Sequence, residues 1–241
     1  MVNTIPFKNK GKVKMIAHRG VSMIERENTC PAFIVAGVKT YYGIETDVHV
    51  TKDNKFIIVH DDDLKRIAGL DMKVEESTFE SLRAVRLKDL DEKTSRGDLF
   101  LPTVEEYISI CKKYQKQAIL ELKNPMTKAN VWALADSIKD LDWLHRTTFI
   151  SFSGKNLIYL RERYKEASAQ YLTETCTKEE IQFMIDNRFD ADLCGYCVTK
   201  EKVDALHKEG LLVNVWTIDA LKDAQKAKEY GVDFITTDIL E

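Results

Sequence analysis

Two hydrophobic rhythms take turns along this chain: short runs rich in β-branched residues, and longer stretches whose apolar positions recur at helical spacing. The first kind reads as a strand and the second as an amphipathic helix. Val13–Ala17 is the first strand. Behind Thr29 as N-cap, with Pro31 tolerated in the first turn, Ala32, Phe33, Val35 and Ala36 make an apolar helix stripe. In Gly43–Asp61, Ile44, Thr46, Val48 and Val50 alternate with Glu45, Asp47 and His49, so both acids lie on one side of a strand. Asp53-Asn54 reads as a hairpin tip and Phe56–Val59 as the return strand. A two-residue turn pairs Lys52 with Lys55 and, in the same register, Asp47 with His60; a looser turn shifts that register.

Residues 62–101 are the least regular. Ser77-Thr78-Phe79-Glu80 spells a capping box before a short helix, and Leu87–Phe100 is charged and loop-like. About 40 residues could hardly bury a core unaided, so this stretch reads as a surface excursion. Regular alternation then resumes. Thr103 with Glu106 and Thr177 with Glu180 form capping boxes, and Thr127, Thr199 and Asp219 cap further helices. Gln117–Lys123, Thr148–Phe152, Ser168–Leu172, Ala191–Tyr196, Leu211–Thr217 and Val232–Thr236 read as strands. Gly210 and Gly231 end helices where a left-handed residue is needed.

Eight strands thus alternate with helices, with one hairpin excursion after the second, in a single domain over residues 1–241. Such alternation means parallel pairing with right-handed crossovers, in a closed barrel or an open doubly wound sheet. The first turn is His18-Arg19-Gly20, not a glycine-rich nucleotide loop, which favours the (β/α)8 barrel of the α/β class.

Composition narrows the function. The 36 basic and 39 acidic side chains leave a formal charge of −3, without the basic excess that a nucleic-acid or anionic-membrane surface needs. No apolar run approaches the roughly 20 residues of a membrane helix, and the N-terminal lysines precede no apolar leader core. Five scattered cysteines suit a reducing compartment, so the expected location is the cytoplasm. Oligomeric state is not legible.

In a barrel of this kind, polar residues at strand C-termini do the chemistry. His18 and Arg19 end the first strand, Glu45 and Asp47 lie late on the second, and His60 closes the hairpin. Glu121 and Lys123 share a face at the end of the next strand, as Asn214 and Trp216 do further on. Glu45, Asp47 and Glu121 make an oxygen-rich site for one divalent cation, Mg²⁺ or Ca²⁺; without it, one carboxylate would take up a proton. The imidazoles suit proton transfer near neutrality, or would complete a transition-metal site. Arg19, Lys123 and a cation together would offset the charge of a phosphoryl group.

Read in order, IAHRG, ENT, GIETDVHVTKDNKFIIVHD, ELK, VNVWTID and DFITTD resemble the glycerophosphodiester phosphodiesterases from about residue 13 to 238. The resemblance implies a (β/α)8 barrel and metal-dependent hydrolysis of a small glycerophosphodiester to glycerol 3-phosphate and an alcohol. It matches Glu45, Asp47 and Glu121 to metal ligands, His18 and His60 to the acid–base pair, Arg19 and Lys123 to phosphate contacts, and Trp216 to a pocket aromatic. The implied route passes through a cyclic phosphate, with His18 as first base and His60 as first acid. Departures fall at Arg26-Glu27, Cys30 and Lys65–Asp71.

Competing readings are a phospholipase D-like enzyme acting on lysophospholipids and a non-catalytic barrel that binds a phosphoester. Lys123 as a Schiff-base lysine is disfavoured by its acidic neighbours, which would keep it protonated. His49 reads as structural, His145 and His207 as surface residues. Cys194 and Cys197 have CxxC spacing, but on an extended strand they face opposite ways.

Overall fold

The computed structural model describes residues 3–94 and 96–241. Strands β1 (Lys14–Ala17), β2 (Gly43–Val50), β4 (Gln117–Leu122), β5 (Thr147–Ser151), β6 (Ser168–Thr173), β7 (Asp190–Cys194), β8 (Val213–Trp216) and β9 (Phe234–Thr237) pair in parallel, and β1 closes the ring by pairing with both β9 and β2. The short β3 (Phe56–Ile58) adds antiparallel to β2. Helices α1 (Cys30–Val38), α4 (Val104–Lys113), α5 (Lys128–Asp140), α6 (Gly154–Arg163), α7 (Lys178–Asn187), α8 (Lys200–Lys208) and α9 (Leu221–Tyr230) surround it, with short α2 (Lys65–Ala68) and α3 (Phe79–Arg83) in the excursion. This is the expected (β/α)8 barrel. Among the described residues, no helix is long and apolar enough to cross a membrane.

Strand pleating sorts the sequence into two cores. Outward positions such as Ile44, Val48, Leu120, Phe149 and Val215 pack under the helices, while Ile16, Ile119, Ile150, Leu172 and Phe234 fill the barrel itself. Tyr107 on α4 ties helix to barrel: its hydroxyl donates to the Ile44 carbonyl at 2.7 Å and accepts from the Ile119 amide at 3.0 Å. Both groups are fully buried, so Tyr107→Phe strands them. Urea denaturation should show a loss of about 1–3 kcal/mol; an unchanged midpoint would mean that water replaces the hydroxyl.

Four sequence expectations need correction. The hairpin pairs Val48 with Ile58 and His49 with Ile57, one residue away from the two-residue register. Its tip spans Lys52–Asn54 and closes on the Thr51–Lys55 pair, with Asn54 left-handed at φ 55°; asparagine tolerates that conformation, and the longer loop sets the slip. Asp47 therefore faces Val59, whose amide donates to its carbonyl at 3.1 Å, and not His60. Thr78, not Ser77, caps α3, because the Ser77 hydroxyl donates back to the Lys73 carbonyl. Asp219 does not cap α9; its carboxylate accepts from the Asp238 amide and the Thr237 hydroxyl at the end of β9. Finally, β7 ends at Cys194, so Cys197 lies in a turn instead of on the strand.

The excursion is better organised than its composition announces. Ile57 and Val59 of the hairpin join Leu64, Ile67, Val74, Leu82, Leu87 and Leu99 in a second apolar cluster. That cluster holds the segment after the hairpin, and with it His60 and Asp61, against the rim of the barrel.

Candidate active site

Residues whose side chains point inward at the C-terminal ends of the strands meet in a cleft of about 140 Å³. On the parallel ladder Asp47 stands level with Glu121, and Glu45 lies two residues below Asp47 on the same face of β2. One carboxylate oxygen from each of the three lies within 4.8 Å of the others, and all three residues are buried. Among the described residues, Asp47 Oδ1 and Glu121 Oε1 accept no hydrogen bond. Lys123 Nζ stands 3.5 and 2.9 Å from them as an ion-pair partner.

Three acids this close cannot all stay charged unaided. Burial, then Asp47 and Glu121, push Glu45 well up; burial and Asp47 raise Glu121 to about 8. Burial presses Asp47 upward too, but Arg19, Lys123, His60 and the Asn28 hydrogen bond outweigh it and hold Asp47 low. The two unaccepting oxygens, hard carboxylate chemistry and unrelieved repulsion together fit a divalent cation.

Local conformation presents the rest. Arg19 has a left-handed backbone (φ 51°), and its amide donates to Glu45 Oε2 at 2.8 Å. Gly20 follows at φ 80°, where a Cβ would lie 2.7 Å from the Ala32 backbone carbon. Only glycine lets this turn and the start of α1 approach so closely. The Arg19 guanidinium lies 3.5 Å from Asp47 and bonds Glu27, while Asn28 Nδ2 donates to Asp47 Oδ2 at 2.7 Å.

Both imidazoles are oriented in the same way. His18 Nδ1 lies 2.7 Å from Asp238 Oδ1, and His60 Nδ1 lies 2.7 Å from Asp61 Oδ1. A carboxylate there accepts a hydrogen bond from Nδ1–H and leaves Nε2 for the cleft, which both rings line. Asp238 also accepts from Ser22, and Asp61 is clamped by Arg66, which bonds Glu27 as well. Burial, with Arg19 and Lys123 nearby, lowers His60 despite Asp47 and Asp61, favouring the neutral ring.

The structure thus brings His18, Arg19, Glu45, Asp47, His60, Glu121 and Lys123 together, with Trp216 on the opposite wall. Sequence reasoning gave no role to Asn28, Asp61, Glu27, Arg66, Asp192 or Asp238. Glu27, Asn28, Asp61 and Asp238 do sit inside the quoted stretches; Asn28 and Asp238 meet their partners across long sequence separations, whereas Asp61 meets the adjacent His60. His49 is structural as expected: it is fully buried, with Nε2 donating to the His60 carbonyl at 3.2 Å. His207 sits 2.8 Å from Asp233, away from the cleft, and His145 packs on Trp143. The five cysteines are free thiols.

With that geometry in view, the comparisons agree. The model of the Glycerophosphoryl diester phosphodiesterase family matches residues 18–241. The chain is similar to a glycerophosphodiester phosphodiesterase of Bacillus altitudinis, at 27% identity over 232 residues, covering 93% of this chain and 94% of the relative. A glycerophosphodiester phosphodiesterase of Caldanaerobacter subterraneus subsp. tengcongensis is 26% identical over 234 residues, covering 94% of each. In fold it is similar to an Oleispira antarctica phosphodiesterase solved with its product sn-glycerol-3-phosphate, with TM-score 0.85, 21% identity and coverage of 93% and 92%.

Proposed function

The chain belongs to the glycerophosphoryl diester phosphodiesterase family and is a phosphodiesterase of glycerophosphodiesters; we propose that it does this chemistry with one divalent cation at Glu45, Asp47 and Glu121 and with His18 and His60 as its proton-transfer pair. The observation that carries this reading is three converging buried carboxylates, two oxygens of which accept no hydrogen bond, beside two imidazoles each fixed by its own carboxylate.

Bound there, Mg²⁺ or Ca²⁺ supplies positive charge that offsets the charge of the phosphoryl oxygens in the transition state. Arg19 and Lys123 hold the phosphate from the other sides. His60, favoured in its neutral form, takes the proton of the glycerol 2-hydroxyl as that oxygen attacks phosphorus. His18 gives a proton to the departing alcohol. This reverses the order expected from the sequence. In the second step the roles exchange: His18 takes a proton from water, which opens the cyclic phosphate, and His60 returns one to the 2-oxygen. The Oleispira product complex supports glycerol 3-phosphate as the product.

The test is release of glycerol 3-phosphate from glycerophosphodiesters with Mg²⁺ or Ca²⁺, its loss in chelator and its recovery on readdition. Chelator-resistant turnover would sink the metal assignment, and lysophosphatidate released faster from a lysophospholipid would favour the lipid reading.

Proton linkage gives a second test. At pH 7 Glu121, raised to about 8, and Glu45, also pushed well up, favour keeping protons that a cation must displace, whereas Asp47 is held low. Cation affinity should therefore rise between pH 6 and 8, by roughly tenfold per pH unit for each proton released. Calorimetry in buffers of different ionisation enthalpy reads that proton. The metal-free fold shows the opposite trend: from about pH 5 to 8 the unfolded chain has lost protons that the folded one retains, so stability falls as pH rises. Affinity independent of pH would mean that the carboxylates bind the cation already ionised.

A further inference from the structure

The mouth of the barrel divides into two chemically different halves. Strands β9, β1, β2 and β4 bring Asp238, His18, the three metal-site carboxylates and Lys123, where phosphate is held. The opposite half, from β5, β6 and β8, carries Phe152, Glu174 and Trp216, and among the described residues contributes no lysine or arginine to the cleft.

That half has unmet binding capacity. Phe152 is a large apolar side chain left 42% exposed, meeting Trp216 edge to face with ring centroids 5.8 Å apart at 87°. Trp216 is pinned by its indole Nε1, which donates to the Asp192 carbonyl at 3.2 Å. Glu174, just beyond β6, is exposed, faces both the cleft and the groove beside it, and enters no ion pair among the described residues. Beneath them the Asp192 side chain lines the cleft at 1% exposure, and its Oδ1 accepts no hydrogen bond.

We propose that Phe152, Glu174 and Trp216, over Asp192, form the subsite for the departing alcohol and select alcohols that carry an ammonium group. The proposal rests on the phosphodiesterase reading and adds the substrate class. With phosphorus held against Arg19 and Lys123, the ester arm that leaves crosses toward the wall free of basic side chains. Aromatic rings attract an alkylammonium through their quadrupole. Glu174 adds a carboxylate that enters no ion pair among the described residues. A neutral polyol arm gains neither attraction, and an anionic arm is repelled by Glu174.

The experiment compares kcat/KM for glycerophosphoethanolamine, glycerophosphocholine and glycerophosphoglycerol in the wild type, Glu174→Gln, Glu174→Lys and Phe152→Ala, and measures calorimetric binding of the same three diesters. Both amine diesters should exceed glycerophosphoglycerol about tenfold, from cation–aromatic and charge contributions combined. Glu174→Gln should cut that ratio about threefold to fivefold, mainly through KM for the amine substrates, and Glu174→Lys should invert it. A wild-type ratio within twofold of unity, or one unmoved by Glu174→Gln, overturns the proposal. Absence of turnover with amine-selective binding would sink the catalytic reading and leave the subsite standing; turnover without amine preference would do the reverse.

Discussion

Asp47→Ala is expected to remove turnover by at least about 10³-fold, because in the proposed mechanism several kcal/mol of transition-state charge stabilisation pass through a cation bound at this carboxylate. Asp47 is the site acid whose surroundings keep it ionised, and Arg19, Lys123 and Asn28 all converge on it. Glu121→Gln keeps the shape of its side chain and should lose turnover nearly as far. Glu121→Gln is not expected to unfold the barrel, since it removes repulsion among buried acids, whereas Asp47→Ala leaves Arg19, Lys123 and Asn28 without their shared acceptor and should lower stability. Calorimetry should show lost cation binding in both, with the thermal transition of the metal-free protein preserved or raised in Glu121→Gln alone. Asp47→Ala turnover within tenfold of the parent at saturating cation would remove this cluster from the mechanism.

His18→Ala and His60→Ala are expected to cost 10²–10⁴-fold each, the usual range for a positioned acid or base. The two losses are separable by leaving group. A glycerol phosphodiester of nitrophenol departs as a stable phenolate and needs no proton in the first step. When formation of the cyclic phosphate is followed by nitrophenolate release, His18→Ala should therefore recover most of its activity on that substrate, and His60→Ala should not. Recovery by His60→Ala alone would restore the order expected from the sequence, with His18 as base. Loss of less than tenfold in both variants on a natural diester would exclude both imidazoles from proton transfer.

The second variable at these histidines is orientation. Asp61 and Asp238 touch only the far nitrogen of each ring, so they are positioning residues. Asp61 is itself held by Arg66, in the stretch Lys65–Asp71 where the sequence departs from its relatives' expected glycine-rich run. The chain Arg19–Glu27–Arg66–Asp61–His60 therefore joins a phosphate contact to a proton-transfer group through side chains alone.

Much of this was written in local pattern. Alternation along β2 put Glu45 and Asp47 on one face because a strand repeats every two residues, and that period survives any tertiary arrangement. Capping boxes at Thr103 and Thr177 form as read, since both partners lie three residues apart on one helical turn. The alternation of strands and helices implied parallel pairing, and the polar residues at strand ends are the ones that the barrel brings together.

Tertiary structure decided what depends on competition between distant groups. Asp219 had the spacing of a helix cap, yet β9 offered its amide and hydroxyl first. His60 reaches the site although the hairpin register slips by one, because the second apolar cluster, not a cross-strand pair, holds its segment against the rim. Residue types and local periods fixed which groups could do the chemistry. Pairing of β2 with β4 placed Glu121 beside Asp47, and pairing of β1 with β9 placed Asp238 behind His18, contacts that no local period encodes.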